Sequence, residues 1–253
     1  MNQINETPPR PLAPLAPGGI AEEVGVVAFD ADDTLWDCQE AFEDVETDFC
    51  RMLSRWGTRQ EVRERLATVE RRNLPLTGYG AKAFTISLVE TALDVSAGRC
   101  SGEEILRAVW LGKRLLRLSA RPLPGVEEAL RRVREAVNCP VVVFTKGELI
   151  DQEGKMERSG LRKYFDEVVT VADKTPQAYH TLCHRLHTRV EDLLMVGNSF
   201  RSDIDPVLRL GGWAAYVPYH ATWSHEQMPE YAHPRLWRLP SLLSLTEAGC
   251  EPA

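Results

Sequence analysis

The chain has 253 residues, enough for one large domain or two small ones, and its 43% hydrophobic and 26% charged residues are the composition of an ordinary globular protein. A formal net charge of -7 without any long Lys or Arg block argues against nucleic acid or an anionic membrane as the main partner, and no apolar run approaches the ~18 residues of a membrane span. Six scattered cysteines (38, 50, 100, 139, 183 and 250) with no CxxC pair, and an N-terminus without a basic-then-apolar leader, predict reduced thiols and a cytoplasmic location.

In chain order, residues 1–22 are proline-rich and aperiodic and predict a flexible or extended tail. VGVVAF (24–29) is a strand-like run that ends in Asp30, Asp32, Asp33 and Asp37. No good strand follows over residues 38–118. Four apolar stripes at helical spacing occupy that interval: Phe42, Val45, Phe49, Met52 and Trp56; Val62, Leu66 and Val69; Phe84, Leu88 and Thr91; Ile105, Val109 and Leu116. This is too much chain for a simple crossover, so it predicts a helical insertion, with RPLPGVEE (121–128) as the return hinge. A helix over PGVEEALRRVREAV and strands CPVVVF (139–144) and EVVTV (167–171) come next, then a helix over TPQAYHTLCHRLH and strands DLLMVG (192–197) and WAAYVP (213–218). The strand runs are β-branched and continuous, as in a parallel sheet buried on both faces. The expected fold is an α/β doubly wound, Rossmann-like parallel sheet built from 23–37 and 119–253, with an α-helical cap inserted at 38–118. No internal repeat is visible.

A run of carboxylates at the end of a buried strand is costly unless something compensates it. In a doubly wound sheet ligands bind beyond the carboxyl ends of the strands. Asp30 sits at such an end, and Asp32 points the same way if the chain stays extended through Ala31. Two converging carboxylates call for a cation or a proton between them, and hard oxygen donors favour Mg2+. The other strand ends fit: Thr145 offers a hydroxyl and an N–H to a phosphate, Lys174 a neutralising cation, and Asn198, Ser199 and Asp203 further oxygens. A plain strand exit, a turn hydroxyl, a surface lysine and a helix cap explain each residue singly, but not all four strand ends together.

In these motifs the chain resembles the haloacid dehalogenase superfamily: FDADDTLWD looks like its first motif, VVVFTKG its second, Lys174 of ADKTP its third and GNSFRSD its fourth, over roughly residues 24–220. The resemblance implies an Mg2+-dependent phosphohydrolase acting on a small phosphorylated metabolite. Asp30 is then the nucleophile that forms an aspartyl-phosphate, and Asp32 the acid that protonates the leaving oxygen and the base that activates water. Thr34 supports the loop, Thr145 and Lys174 hold the phosphoryl group, and Asp30, the Asp32 carbonyl, Asn198 and Asp203 hold the metal. Many members carry Asp where this chain has Asn198, which removes one negative charge from the metal site. Asp205 is a less well spaced stand-in.

Substrate contacts are expected from Thr34, from Lys146 and, in LTGYGAKAF, from Tyr79 and Lys82; Trp36, His220 and Trp223 are further candidates for the pocket wall. His180, His184 and His187 share a helical face and read as a solvated surface rather than a metal site. The rival readings are a phosphotransferase or phosphomutase with the same intermediate, and a non-catalytic phosphate-binding protein on the same fold. Oligomeric state is not readable from the sequence.

Overall fold

The computed structural model describes residues 13–221, 223 and 226–247. Among these residues six strands form one all-parallel sheet: β1 (Val26–Phe29), β2 (Val141–Lys146), β3 (Glu167–Val171), β4 (Leu193–Gly197), β5 (Trp213–Tyr216) and β6 (Leu236–Arg238), in the spatial order β3-β2-β1-β4-β5-β6. β1 is therefore central, and the order reverses on either side of it. Phe29 lies level with Val143 of β2 and Val196 of β4, so the residues that follow these three strands emerge side by side.

Side chains alternate across a strand. Val27, Phe29, Val141 and Val143 enter a core beneath α5 (Val126–Ala136) and α6 (Leu149–Ser159), while Val26, Ala28, Val142 and Phe144 enter another with α7 (Pro176–Arg185) and α8 (Asp205–Arg209). Both faces are covered, which is why the strand sequences are continuously apolar rather than alternating. β3 departs from that pattern. It is an edge strand whose residues are all only half-buried, with Val168 packed against one core and Val169 and Val171 against the other.

Four helices leave the sheet between β1 and α5: α1 (Gln39–Met52), α2 (Arg59–Thr77), α3 (Ala81–Val95) and α4 (Gly102–Leu115). They share a separate core that includes Val45, Phe49, Leu66, Phe84, Leu88 and Leu111. Thr58 and Ser101 open α2 and α4 with capping boxes to Glu61 and Glu104. In α4 the buried stripe is Ala108, Leu111, Gly112 and Leu115, with Ile105, Val109 and Leu116 half-buried. The small residues matter because α3 comes close: a Cβ on Gly112 would lie 1.8 Å from Thr85 Oγ1. The connections to and from this unit run together, since Trp36 pairs antiparallel with Pro122 and Leu123 N donates to Leu35 O at 2.9 Å.

The tail expectation fails for residues 13–22. Ala13, Leu15, Ala16 and Ile20 are buried, and Leu15 N donates to Leu245 O at 2.9 Å; apolar residues between the prolines give this segment a surface to bury. Residues 1–12 and Cys250 lie outside the described residues; the other five cysteines are free thiols. Among the described residues no helix is long and apolar enough to cross a membrane.

Candidate active site

The chain leaves β1 at Asp30, whose N–H donates to Val196 O at 2.8 Å, and then turns sharply. Asp33 adopts φ 63°, a left-handed conformation that Asp tolerates better than most residues, and its Oδ1 accepts from the N–H groups of Cys38 and Gln39 at 2.8 Å each. The turn thus starts α1 and aims the carboxylates of Asp30 and Asp32 at one cavity of about 190 Å³ between the sheet and the helical unit. Asp33 and Asp37 act as helix-start acceptors, Asp37 taking Glu40 N at 3.1 Å.

Asp30 is buried. Its Oδ1 is paired with Lys174 Nζ, and the same ammonium donates to Asp203 Oδ1 at 2.6 Å. Thr34 Oγ1 lies 3.1 Å from both Asp30 Oδ2 and Asn198 Oδ1, so one hydroxyl proton is shared by two acceptors. Burial pushes the Asp30 carboxyl up to about 7 against the pull of Lys174, and the neighbouring Asp203 charge adds to the rise.

Asp32 has a fuller set of partners. Lys155 Nζ lies 2.8 Å from each carboxylate oxygen, Gln152 Nε2 donates to Oδ2 at 2.8 Å, and Trp36 Nε1 donates to Oδ1 at 2.7 Å. Burial opposes its charge, but these donors outweigh it and hold the carboxyl below the usual carboxylate range. Lys155 is itself buried and also lies 3.5 Å from Asp151 Oδ2.

Thr145 ends the buried run of β2 and lines the cavity, as do Lys146, Lys174, Asn198, Asp203 and Tyr79. A single π-helical turn, Phe200–Ile204, follows Asn198 and returns Asp203 toward Gly197. Asp203 Oδ2 accepts Ser199 N at 2.9 Å, and a Cβ at Gly197 would lie 2.2 Å from that oxygen, so glycine is required there. Lys146 Nζ binds Ser202 Oγ at 2.9 Å, pairs with Glu226, and lies 4.1 Å from the centre of the Tyr79 ring; that ring meets Trp223 edge-on at 5.8 Å.

Several expected contacts lie elsewhere. Thr34 is buried behind the carboxylates and does not line the cavity. Lys82 is turned away and paired with Glu148, and His220 binds Glu40 at 2.8 Å, so neither lines it. Trp36 is fully buried and serves Asp32 rather than the pocket wall. His180, His184 and His187 are exposed. Asp205 is bound to Arg209 and Tyr231, away from Asn198. The sequence reading missed Lys155 and Gln152, along with the helix α6 that carries them. Their signal is an inverted helix: Asp151, Gln152, Lys155 and Ser159 are buried while Leu149 and Ile150 are 55% and 71% exposed.

Among the described residues no three His, Cys, Asp or Glu side chains converge as a metal set. A divalent cation would depend on mixed oxygens instead: one Asp30 carboxylate oxygen, the Asn198 amide oxygen and the Asp32 carbonyl. Asp30 Oδ2 and Asn198 Oδ1 sharing a single proton fits that role, since both have acceptor capacity left over. Such a set suits Mg2+, which is held by few protein oxygens and keeps several waters. Asp203 has one oxygen on Lys174 at 2.6 Å and the other on Ser199 N at 2.9 Å, and it lines the same cavity.

Comparison with known proteins identifies residues 24–211 with the model of the haloacid dehalogenase-like hydrolase family. The pyrimidine 5'-nucleotidase YjjG of Escherichia coli K12 is 30% identical over 136 residues, 51% of this chain; the match spans only 57% of that relative's length. The crystal structure of a haloacid dehalogenase-like family hydrolase from Xanthomonas campestris superposes with a TM-score of 0.80 at 36% identity, covering 93% of each chain. A 2-haloacid dehalogenase from Pseudomonas syringae shares the fold, with a TM-score of 0.60 at 20% identity over 88% of this chain and 96% of its own.

Proposed function

The chain belongs to the haloacid dehalogenase-like hydrolase family, and on that premise we propose that it is an Mg2+-dependent phosphohydrolase of small phosphomonoesters. The observation that carries the reading is Asp32, two residues after the buried Asp30 and held toward the same cavity by Lys155, Gln152 and Trp36. A halide leaves as a stable anion and needs no proton. An alcohol leaving from phosphorus does, so a second carboxyl beside the nucleophile suits phosphoryl transfer and is superfluous for dehalogenation.

In the proposed reaction Asp30 attacks phosphorus, the bond from phosphorus to the ester oxygen breaks, and the departing oxygen takes a proton from Asp32. Water then attacks the aspartyl-phosphate with Asp32 as base, releasing phosphate and restoring Asp30. Lys174 and Thr145 neutralise and orient the phosphoryl oxygens. Mg2+, held by Asp30, the Asp32 carbonyl and Asn198, supplies positive charge against the transferring group. The resting site favours the base half of Asp32's work, because its donors keep it ionised; for the acid half, the negative charge of the substrate's phosphate bound beside it favours the protonated carboxyl.

The nucleotidase relative places nucleoside monophosphates in the substrate panel beside sugar phosphates. The test is phosphate release from that panel, with and without Mg2+, by wild type and Asp30→Asn. The reading expects release that needs both the metal and Asp30; equal release by Asp30→Asn contradicts it.

A further inference from the structure

The cavity has lopsided charge. Its cations among the described residues are Lys146, Lys155 and Lys174, and each already has an internal counter-charge: Glu226, Asp32 with Asp151, and Asp30 with Asp203. The Glu226 pairing is built in depth. Its carboxylate also accepts from Ser199 Oγ and from Ser202 Oγ, and although burial opposes its charge, Lys146 and these hydroxyls hold the carboxyl below the usual range. Lys146, the cation nearest the cap that a second substrate anion would need, is therefore neutralised from within.

The cap side adds negative charge. Glu43, Glu46 and Glu70 line the same cavity. Among the described residues Glu46 is paired with Arg63, Glu43 receives the Gln39 amide, and Glu70 shows no hydrogen-bond or ion-pair partner; its burial, with Glu46 nearby, pushes its carboxyl up to about 7.

Hydrogen-bonding capacity gives an independent sign. Asp151 and Gln152 are both more than nine-tenths buried and line the cavity, and each keeps an oxygen that no donor reaches, Asp151 Oδ1 and Gln152 Oε1. The Gln152 amide is fixed in that orientation because its Nε2 faces two acceptors, Asp32 Oδ2 at 2.8 Å and the Lys146 carbonyl at 3.1 Å. Both residues sit on α6 beside Asp32, where the leaving oxygen must be protonated. Buried acceptors without donors are unfavourable, and a ligand that brings O–H or N–H groups relieves them.

We propose that the leaving-group half of the cavity takes an alcohol rich in hydroxyl or ammonium donors and rejects one that carries a second negative charge. Sugar-type and amino-sugar-type monophosphates are then accepted, while phosphates bearing a carboxylate or a second phosphate are excluded. This deepens the phosphohydrolase reading of the same site and rests on it.

The test uses three six-carbon phosphates of different charge, glucosamine 6-phosphate, glucose 6-phosphate and the open-chain 6-phosphogluconate, with the neutral open-chain glucitol 6-phosphate as the control for ring opening. Affinity is measured by calorimetry with Mg2+ on Asp30→Asn protein, and turnover by phosphate release from wild type. The expected order places 6-phosphogluconate at least about tenfold weaker than glucose 6-phosphate, with glucosamine 6-phosphate at least as tight as glucose 6-phosphate. At pH 8, where Glu70 is ionised, adding Glu70→Gln narrows the gap between the acid and glucose 6-phosphate. Equal affinity for the acid and the neutral sugar, an unchanged gap in a folded Glu70→Gln variant, or no binding of any of the three overturns the proposal. Absence of turnover with the ranking intact defeats the phosphohydrolase reading alone; turnover with a flat or reversed ranking defeats the specificity alone.

Discussion

Two buried lysines bridge two carboxylates each, Lys174 between Asp30 and Asp203 and Lys155 between Asp32 and Asp151. The compositions match, yet the carboxyls they serve move in opposite directions, Asp30 up to about 7 and Asp32 below its usual range. Neutral donors make the difference. Asp32 adds Gln152 and Trp36 to both contacts from Lys155, whereas Asp30 adds half of one hydroxyl proton and faces Asp203 across a shared ammonium. One cluster is electrostatically complete before any ligand arrives. The other is short of a positive partner, which is the condition expected of a nucleophile that also holds a metal.

The largest effect expected from this contrast is on catalysis. Asp32→Asn should lower kcat/KM for alkyl phosphates by about 10²–10⁴-fold, and by much less for p-nitrophenyl phosphate, whose leaving group needs no proton. Steady-state kinetics on both substrates decide it, and equal losses would remove Asp32 from the acid–base role.

Stability should separate the two clusters next. Lys174→Met leaves Asp30 and Asp203 buried together and should cost about 3–5 kcal/mol in urea unfolding. Lys155→Met should cost less, because Asp32 keeps Gln152 and Trp36. The reverse order would break the comparison.

A smaller effect comes from Glu70, a cavity carboxylate with no lysine at all. Its carboxyl stands near 7 in the fold against an ordinary 4.5. The unfolded chain sheds that proton first, so the contribution is fully favourable below about pH 4.5 and is lost as pH rises through 7. Glu70→Gln should therefore match wild type at pH 4 and exceed it by about 1–3 kcal/mol at pH 8. Thermal melts at the two pH values check this, and parallel melting curves would contradict it.

Much of this was legible in the sequence because the chemistry hangs on strand ends. Continuous apolar runs locate β1, β2 and β4, and the polar residues that follow them, Asp30, Thr145 and Asn198, are delivered to one place by parallel pairing alone. The four apolar stripes of residues 38–118 mark four helices for the same periodic reason, although Trp56 and Leu116 lie past the ends of α1 and α4 and the buried face of α4 is that of Ala108, Leu111 and Leu115. What was illegible depends on burial that reverses the usual pattern. Lys155 and Asp151 are spaced four apart, the ordinary spacing of an exposed helical ion pair, yet in the fold they face inward and Ile150 faces out. Trp36 reads as a pocket aromatic until its indole N–H is seen on Asp32. β6, with three residues, is too short to carry a pattern. Glu226 comes from a loop that reaches Lys146 across 80 positions, a distance over which sequence spacing says nothing.

The most direct measurement for the central claim is acid quenching during turnover, followed by intact mass and peptide mapping. The account predicts one phosphoryl group on the peptide containing Asp30, formed only with Mg2+ and absent from Asp30→Asn. Phosphate release at a full rate with an unmodified Asp30 peptide would contradict it.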